Sequence, residues 1–312
     1  MTTTNVTVDR LQGVWVAMPT PWTSSFAVDS GVVCDLVSRY VAAGLHGAYT
    51  TGTDGEMHVL DIAEFRVLAE SFGRATADAG LPAQMGCTWS HTEGVIARAR
   101  IAQANGIDTI QVALPSWVPL NDAEMLRFFG ALQEALPETR LVHYNIARSG
   151  RFLAGRDYRA ILEVAPNLVG SKHTGGDVSS LIEIVQATPG LDHFVVDSQI
   201  VPGALFGAKG FYSFIANLAP HIALDLWALC EAGDWVAAAR LRERIDLLFR
   251  HWSEVWGDVS ASPALGKIAT AAGILPEMPL AVRAPYRCGE DRDVAILLTL
   301  IDREFPEFAY TG

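Results

Sequence analysis

Residues 139–215 contain TRLVHYN (139–145), NLVGSKH (167–173), DHFVVDS (192–198) and GFYSFI (210–215), four β-rich runs separated by helical patterns. The apolar residues in these runs are nearly continuous rather than alternating. Such runs suit strands covered on both faces, as in a parallel sheet. The same unit recurs upstream, in DTIQVALP (108–115), PAQMGCTW (82–89), HGAYTTG (46–52) and GVWVAMP (13–19). Helical spacing separates these runs too. Val33, Leu36, Val37, Tyr40 and Val41 mark one helix over 30–43, and residues 91–105 form another. A third over 61–80 begins at Asp61, a natural N-cap with Glu64 three residues on.

Eight alternating β and α units fit either a doubly wound sheet or a closed barrel. No GxGxxG follows the first strand, which favours an α/β fold of the (βα)8 TIM barrel type. From about residue 217 the strand pattern stops and helical pattern continues to the end. The expected organisation is a barrel over 1–216 and a C-terminal helical extension over 217–312, packed on it.

Bulk properties narrow the function. The 312 residues are 50% hydrophobic, enough for a large core, with a net charge of −12. An acidic chain without a basic tract repels polyanions, so no nucleic-acid partner is expected. No run approaches the roughly 18 apolar residues of a membrane span. The opening MTTTNVTVDRLQG lacks the basic-then-apolar order of a signal peptide. The expectation is a soluble, cytoplasmic protein with no membrane partner. Cys34, Cys87, Cys230 and Cys288 are widely spaced without a CxxC, which reads as reduced thiols. Without HxH, HExxH or a P-loop, no metal and no cofactor are expected.

In a barrel, chemistry gathers at the C-terminal ends of the strands. Only three lysines occur, Lys172, Lys209 and Lys267. Lysine can lose its proton and act as a nucleophile, whereas arginine effectively cannot. Lys172 ends an apolar strand and precedes two glycines, so its amine should enter the barrel mouth. Desolvation there would favour the neutral nucleophile that imine formation requires. The plainer reading is an exposed lysine just past the strand, and position alone leaves both open. Lys209 reads as a turn residue, and Lys267 as a solvated or packing residue of the extension. Tyr144, at the end of strand five, could shuttle protons beside an imine or be a buried phenol with a satisfied hydroxyl.

Taken together, GTDGE (52–56), HYNIARSG (143–150) and GSKHTGG (170–176) resemble the dihydrodipicolinate synthase/N-acetylneuraminate lyase family. GVWVAMPTPW, GFYSFIANLAP and PALGKIATAAG extend the resemblance over nearly the whole chain. The resemblance implies a (βα)8 barrel and a class I lyase that joins a lysine to pyruvate or a related 2-keto acid. It also implies a homo-oligomer, dimer or tetramer. It makes Lys172 the imine lysine, Tyr144 the proton relay, and Thr53 the hydroxyl that hydrogen-bonds Tyr144. Gly52 and Asp54 fall where the keto acid is held, Arg148 where the second substrate enters, and Ser213 on strand eight joins the substrate-binding set. Glu56 takes a structural place.

The departures concern the substrate. Asp54 replaces a hydroxyl residue where a carboxylate is bound, and two like charges about 4 Å apart repel by roughly 4 kcal/mol at an intermediate dielectric. Either Asp54 turns away, or it carries a proton, or the substrate differs at this end. Trp117 replaces a tyrosine after strand four. PSWVPLND (115–122) is similar to the hydratase-aldolase branch, so Trp117 and Trp89 could stack on an aromatic or apolar aldehyde. Ordinary packing at a rim or subunit interface is the competing account. The resulting expectation is an aldolase-type carbon–carbon lyase acting on a 2-keto acid and an aldehyde. Its rivals are a sugar-acid aldolase or dehydratase, a 4-hydroxy-tetrahydrodipicolinate synthase-like enzyme, a metal-dependent aldolase, and a barrel that only binds a ligand.

Overall fold

The computed structural model describes residues 11–256 and 263–310. The polar opening at 1–10, part of the extension at 257–262, and 311–312 lie outside the described residues. Eight strands close into a parallel barrel in chain order: β1 (Gly13–Ala17), β2 (Gly47–Thr50), β3 (Ala83–Gly86), β4 (Thr109–Val112), β5 (Arg140–Ile146), β6 (Leu168–Thr174), β7 (Asp192–Val196) and β8 (Gly210–Ser213). β1–β4, β7 and β8 fall within the apolar runs read from the sequence, and β5 and β6 each extend one residue past theirs, to Ile146 and Thr174.

The intervening helices are α1 (Ser30–Ala42), α2 (Ile62–Ala79), α3 (Thr92–Ala104), α4 (Asp122–Ala135), α5 (Gly155–Val164), α6 (Val178–Ala187) and α7 (Ile200–Leu205). α2 opens as expected: Asp61 accepts from the Glu64 N–H, and Glu64 accepts from the Asp61 N–H. It stops at Gly80, whose φ of 65° suits a residue without a Cβ.

Strand side chains alternate between two layers. Trp15, Tyr49, Val142, Phe194 and Tyr212 fill the barrel interior, while the larger apolar cluster lies between strands and helices. The same alternation sorts polar residues. Tyr144 and Lys172 point inward. His143, Ser171, His173 and His193 point outward, where Ser171 joins His173 and His193 at 2.7 Å each and His143 meets the Tyr158 hydroxyl at 2.8 Å. Burial holds all three imidazoles neutral, His143 down to about 3 and His193 to about 4.

After β8 come α8 (Pro220–Glu231), α9 (Trp235–Trp256), α10 (Pro263–Ala272) and α11 (Asp291–Glu304). α8 packs against β1 and α9. The later helices reach over the barrel mouth, where a buried cluster fastens them. Lys267 is not solvated: it is fully buried and pairs with Glu56 at 2.6 Å. Glu56 also accepts from the Trp22 indole at 2.9 Å and the Arg283 N–H at 3.1 Å, which makes it the structural residue expected. Arg283 forks onto Glu64 of α2. The extension is thus anchored directly onto the loop that follows β2.

Candidate active site

Lys172 and Tyr144 are paired in register on β6 and β5, both at the C-terminal end of the barrel. Lys172 is 6% exposed and Tyr144 9%. The Lys172 Nζ lies 4.3 Å from the Tyr144 ring centre, 4.7 Å from Tyr212 and 5.0 Å from Tyr49. Three aromatic walls therefore surround the amine, and the lysine is neither exposed nor past the strand. Burial pushes the phenols of Tyr49 and Tyr212 well above their ordinary range, which keeps both protonated. Tyr212 also donates to Gln84. Tyr144 is the phenol of the three that borders both openings at the mouth.

A cavity of about 390 Å³ opens over Lys172, bordered by Thr53, Asp54, Tyr144, Arg148, Thr174 and Asp197 on its polar side. Ile146, Val196, Phe214, Phe249 and Leu265 form its apolar side, the last two brought from α9 and α10. A second cavity of about 350 Å³ adjoins it, sharing Thr53, Tyr144, Ile146 and Arg148 and including Gly52, Met57, Leu114 and Tyr286. Arg148 donates to the Thr53 hydroxyl at 3.0 Å, so this pair bridges the loops after β5 and β2 between the two spaces.

Several expected placements change. Thr53 meets Arg148 rather than Tyr144; the hydroxyl that reaches Tyr144 is that of Thr174, donating at 3.5 Å. Trp89 borders neither cavity. Its ring lies under the Arg98 guanidinium at 3.4 Å and closes against Gly94, so packing accounts for it. Trp117 also borders neither cavity and is 93% exposed. Ser213 is fully buried, and its hydroxyl donates to Asp197 at 2.7 Å.

Asp197 is the residue that the strand pattern did not single out. It follows β7 directly, within VVDS. Its carboxyl also accepts from the Phe214 N–H at 2.7 Å. Burial raises it to about 6, against the lowering effect of these hydrogen bonds. Asp54 does not turn out of the site. It borders the Lys172 cavity, and burial raises its carboxyl above the usual range, opposed by the Lys172 and Arg148 charges and by its own backbone N–H. Among the described residues no cluster of three or more His, Cys, Asp or Glu is placed to hold a metal. No helix among them is long and apolar enough to cross a membrane. All four cysteines are free.

Comparison with known proteins agrees with this geometry. Residues 10–256 match the model of the Dihydrodipicolinate synthetase family. The chain is 28% identical over 276 residues to a 4-hydroxy-tetrahydrodipicolinate synthase of Exiguobacterium sibiricum, covering 86% of this chain and 92% of that one. The dihydrodipicolinate synthase of Bacteroides thetaiotaomicron superposes with a TM-score of 0.85 at 21% identity, over 94% and 98% of the two chains. A catalytic-lysine mutant of Ruminococcus gnavus sialic acid aldolase superposes with a TM-score of 0.84 at 21% identity, over 95% and 97%. The last two likenesses speak to the fold.

Proposed function

The chain belongs to the dihydrodipicolinate synthetase family of lyases, and from that premise we propose that it cleaves or forms a carbon–carbon bond through an imine on Lys172. The observation that carries this reading is the in-register pair of Lys172 and Tyr144 facing the cavity at the barrel mouth. In the cleavage direction, Nζ adds to the ketone carbon of a 2-keto acid, the Tyr144 phenol protonates the departing hydroxyl, and water leaves, giving an iminium and a phenolate at Tyr144. Tyr144 takes the proton from the hydroxyl on the γ carbon. The bond between the β and γ carbons breaks, its electron pair moves into the iminium as an enamine, and an aldehyde departs. Protonation of the enamine and hydrolysis release pyruvate and restore the lysine. Thr174 orients the Tyr144 hydroxyl. The Arg148–Thr53 pair borders the entrance, where it can meet a polar group of the incoming substrate.

The partner aldehyde in this proposal is aromatic or otherwise apolar. The support is the wall of Ile146, Val196, Phe214, Phe249 and Leu265, which offers area and few hydrogen bonds. A sugar-acid aldolase or dehydratase is the second reading, favoured by Asp197 in the same cavity. The exposed Trp117 and Val118 support association with further copies of the chain, and sedimentation equilibrium tests this.

The chemical test is borohydride trapping with pyruvate, read by mass on the peptide containing Lys172. The expected result is a stable adduct that Lys172→Ala abolishes. If neither pyruvate nor any other 2-keto acid traps on Lys172, the imine mechanism is wrong. A panel of aromatic, aliphatic and hydroxylated aldehydes then separates the two substrate readings.

A further inference from the structure

We propose that Asp54 is a specificity-determining residue that admits the keto acid's carboxylate as a carboxyl–carboxylate pair sharing one proton. The inference rests on the keto-acid reading and extends it. A ketone carbon bonded to Nζ carries its carboxylate one bond away, so that carboxylate must lie close to the amine. Three sides are closed to it by the rings of Tyr49, Tyr144 and Tyr212. The remaining polar side of the cavity carries Thr53, Asp54, Arg148, Thr174 and Asp197.

Of these, Thr53 accepts from Arg148 and keeps its own O–H free to donate, Thr174 donates to Tyr144, and Asp197 is held by Ser213 and the Phe214 N–H. Among the described residues no side chain hydrogen-bonds the Asp54 carboxyl. One edge of it packs on α10 at Gly266, where a Cβ would stand 3.3 Å from Oδ1, and the residue as a whole borders the cavity that opens over Lys172. The next residue, Lys267, is committed to Glu56 and offers Asp54 no counter-charge. The groups that face Asp54 are therefore Lys172 from β6, Arg148 after β5, the phenol of Tyr40 on α1 and that of Tyr49 on β2.

Two ionised carboxylates about 4 Å apart would weaken binding roughly a thousandfold at an intermediate dielectric. A shared proton replaces that repulsion by a charge-assisted O–H···O hydrogen bond. Burial already raises the Asp54 carboxyl above its ordinary range, and an adjacent substrate carboxylate raises it further. The enzyme therefore takes up a proton with its keto acid, and affinity falls as pH rises.

The experiment compares the wild-type protein with Asp54→Asn and Asp54→Thr. It measures the pyruvate concentration for half-maximal borohydride trapping on Lys172 between pH 5.5 and 8.5, with hydroxyacetone as a ketone lacking the carboxylate. At the alkaline end the wild-type value should rise about tenfold per pH unit relative to either variant, and both variants should bind pyruvate at least tenfold tighter at pH 8.5. Hydroxyacetone should show the same pH profile in all three proteins. Calorimetry in buffers of different ionisation enthalpy should give one more proton taken up by the wild type than by Asp54→Asn. Parallel pyruvate profiles overturn the proposal, as does weaker pyruvate trapping in both variants. Better trapping of hydroxyacetone than pyruvate by the wild type at pH 5.5 overturns it too, because the site then rejects the carboxylate itself. Failure of every keto acid to trap in any of the three proteins removes the imine reading instead.

Discussion

Replacing Lys267 by methionine tests how the helical extension holds the active-site loop. Lys267 and Glu56 are both fully buried and 2.6 Å apart. Breaking such a pair by removing one partner strands a charge and costs about 3–5 kcal/mol. The stranded Glu56 keeps two donors, the Trp22 indole and the Arg283 N–H, which places the expected loss near the lower end, about 3 kcal/mol. That is more than a hundredfold in the folding equilibrium. The Ala281 carbonyl loses its donor as well, adding roughly 1 kcal/mol. The double variant Glu56→Gln/Lys267→Met removes both charges, so it should be more stable than Lys267→Met alone by about 2 kcal/mol. Urea unfolding followed by tryptophan fluorescence reads both numbers, provided the slope m is unchanged. Because Glu56 closes the segment containing Thr53 and Asp54, the single variant should also raise KM with little change in kcat. A loss below about 1 kcal/mol for Lys267→Met, or a double variant no more stable than the single, would refute the reasoning.

Three further outcomes are expected. Tyr144→Phe should lower kcat by about 10²–10⁴ while leaving a pyruvate adduct on Lys172 detectable, and an unchanged kcat removes Tyr144 from the proton path. Asp197 passes from acid to carboxylate near pH 6, so Asp197→Asn should lose an inflection there in kcat/KM; a wild-type profile that is already flat sinks this idea. His143 titrates near 6.5 when unfolded but only near 3 in the fold, so between these values the unfolded chain binds the extra proton and stability falls as pH falls. The carboxyls of Asp54 and Asp197, raised in the fold, act in the opposite sense, so the comparison must be differential. Below pH 6, the stability of His143→Phe should depend less steeply on pH than that of the wild type by about 1.4 kcal/mol per unit, measured by urea unfolding. Equal slopes would show that His143 is protonated within the fold.

The barrel was legible because its strands are short and buried on both faces. GVWVA and GFYS need no partner to announce themselves, since continuous apolar runs alternate with helical patterns along the barrel. Lys172 and Tyr144 were legible for a related reason. The period-2 alternation of a strand fixes which residues face inward, and strand ends in a barrel converge on one mouth. The resemblance of three short motifs supplied the chemical role.

Other site features were hidden because they depend on loops and on residues distant in sequence. Trp89 and Trp117 have the right type for an aromatic pocket, yet Arg98 claims one ring and solvent the other. Ser213 sits at a strand end, but Asp197, sixteen residues away, takes its hydroxyl. Thr53 meets Arg148, which reaches across the mouth from the loop after β5, and it is Thr174 that meets Tyr144.

The sequence by itself thus determined the fold class, the start of α2 and the inward positions of Lys172 and Tyr144, as consequences of local periodicity and strand direction, while their chemical role rested on the family resemblance. Only the tertiary structure decided which hydroxyl serves Tyr144, that Lys267 is a buried anchor, and that Asp54 faces the amine with its carboxyl unengaged by any described side chain. Those outcomes turn on contacts between β2, β5, β6 and α10. Their distances are set by barrel closure and by the packing of the extension, which no single stretch of the chain encodes.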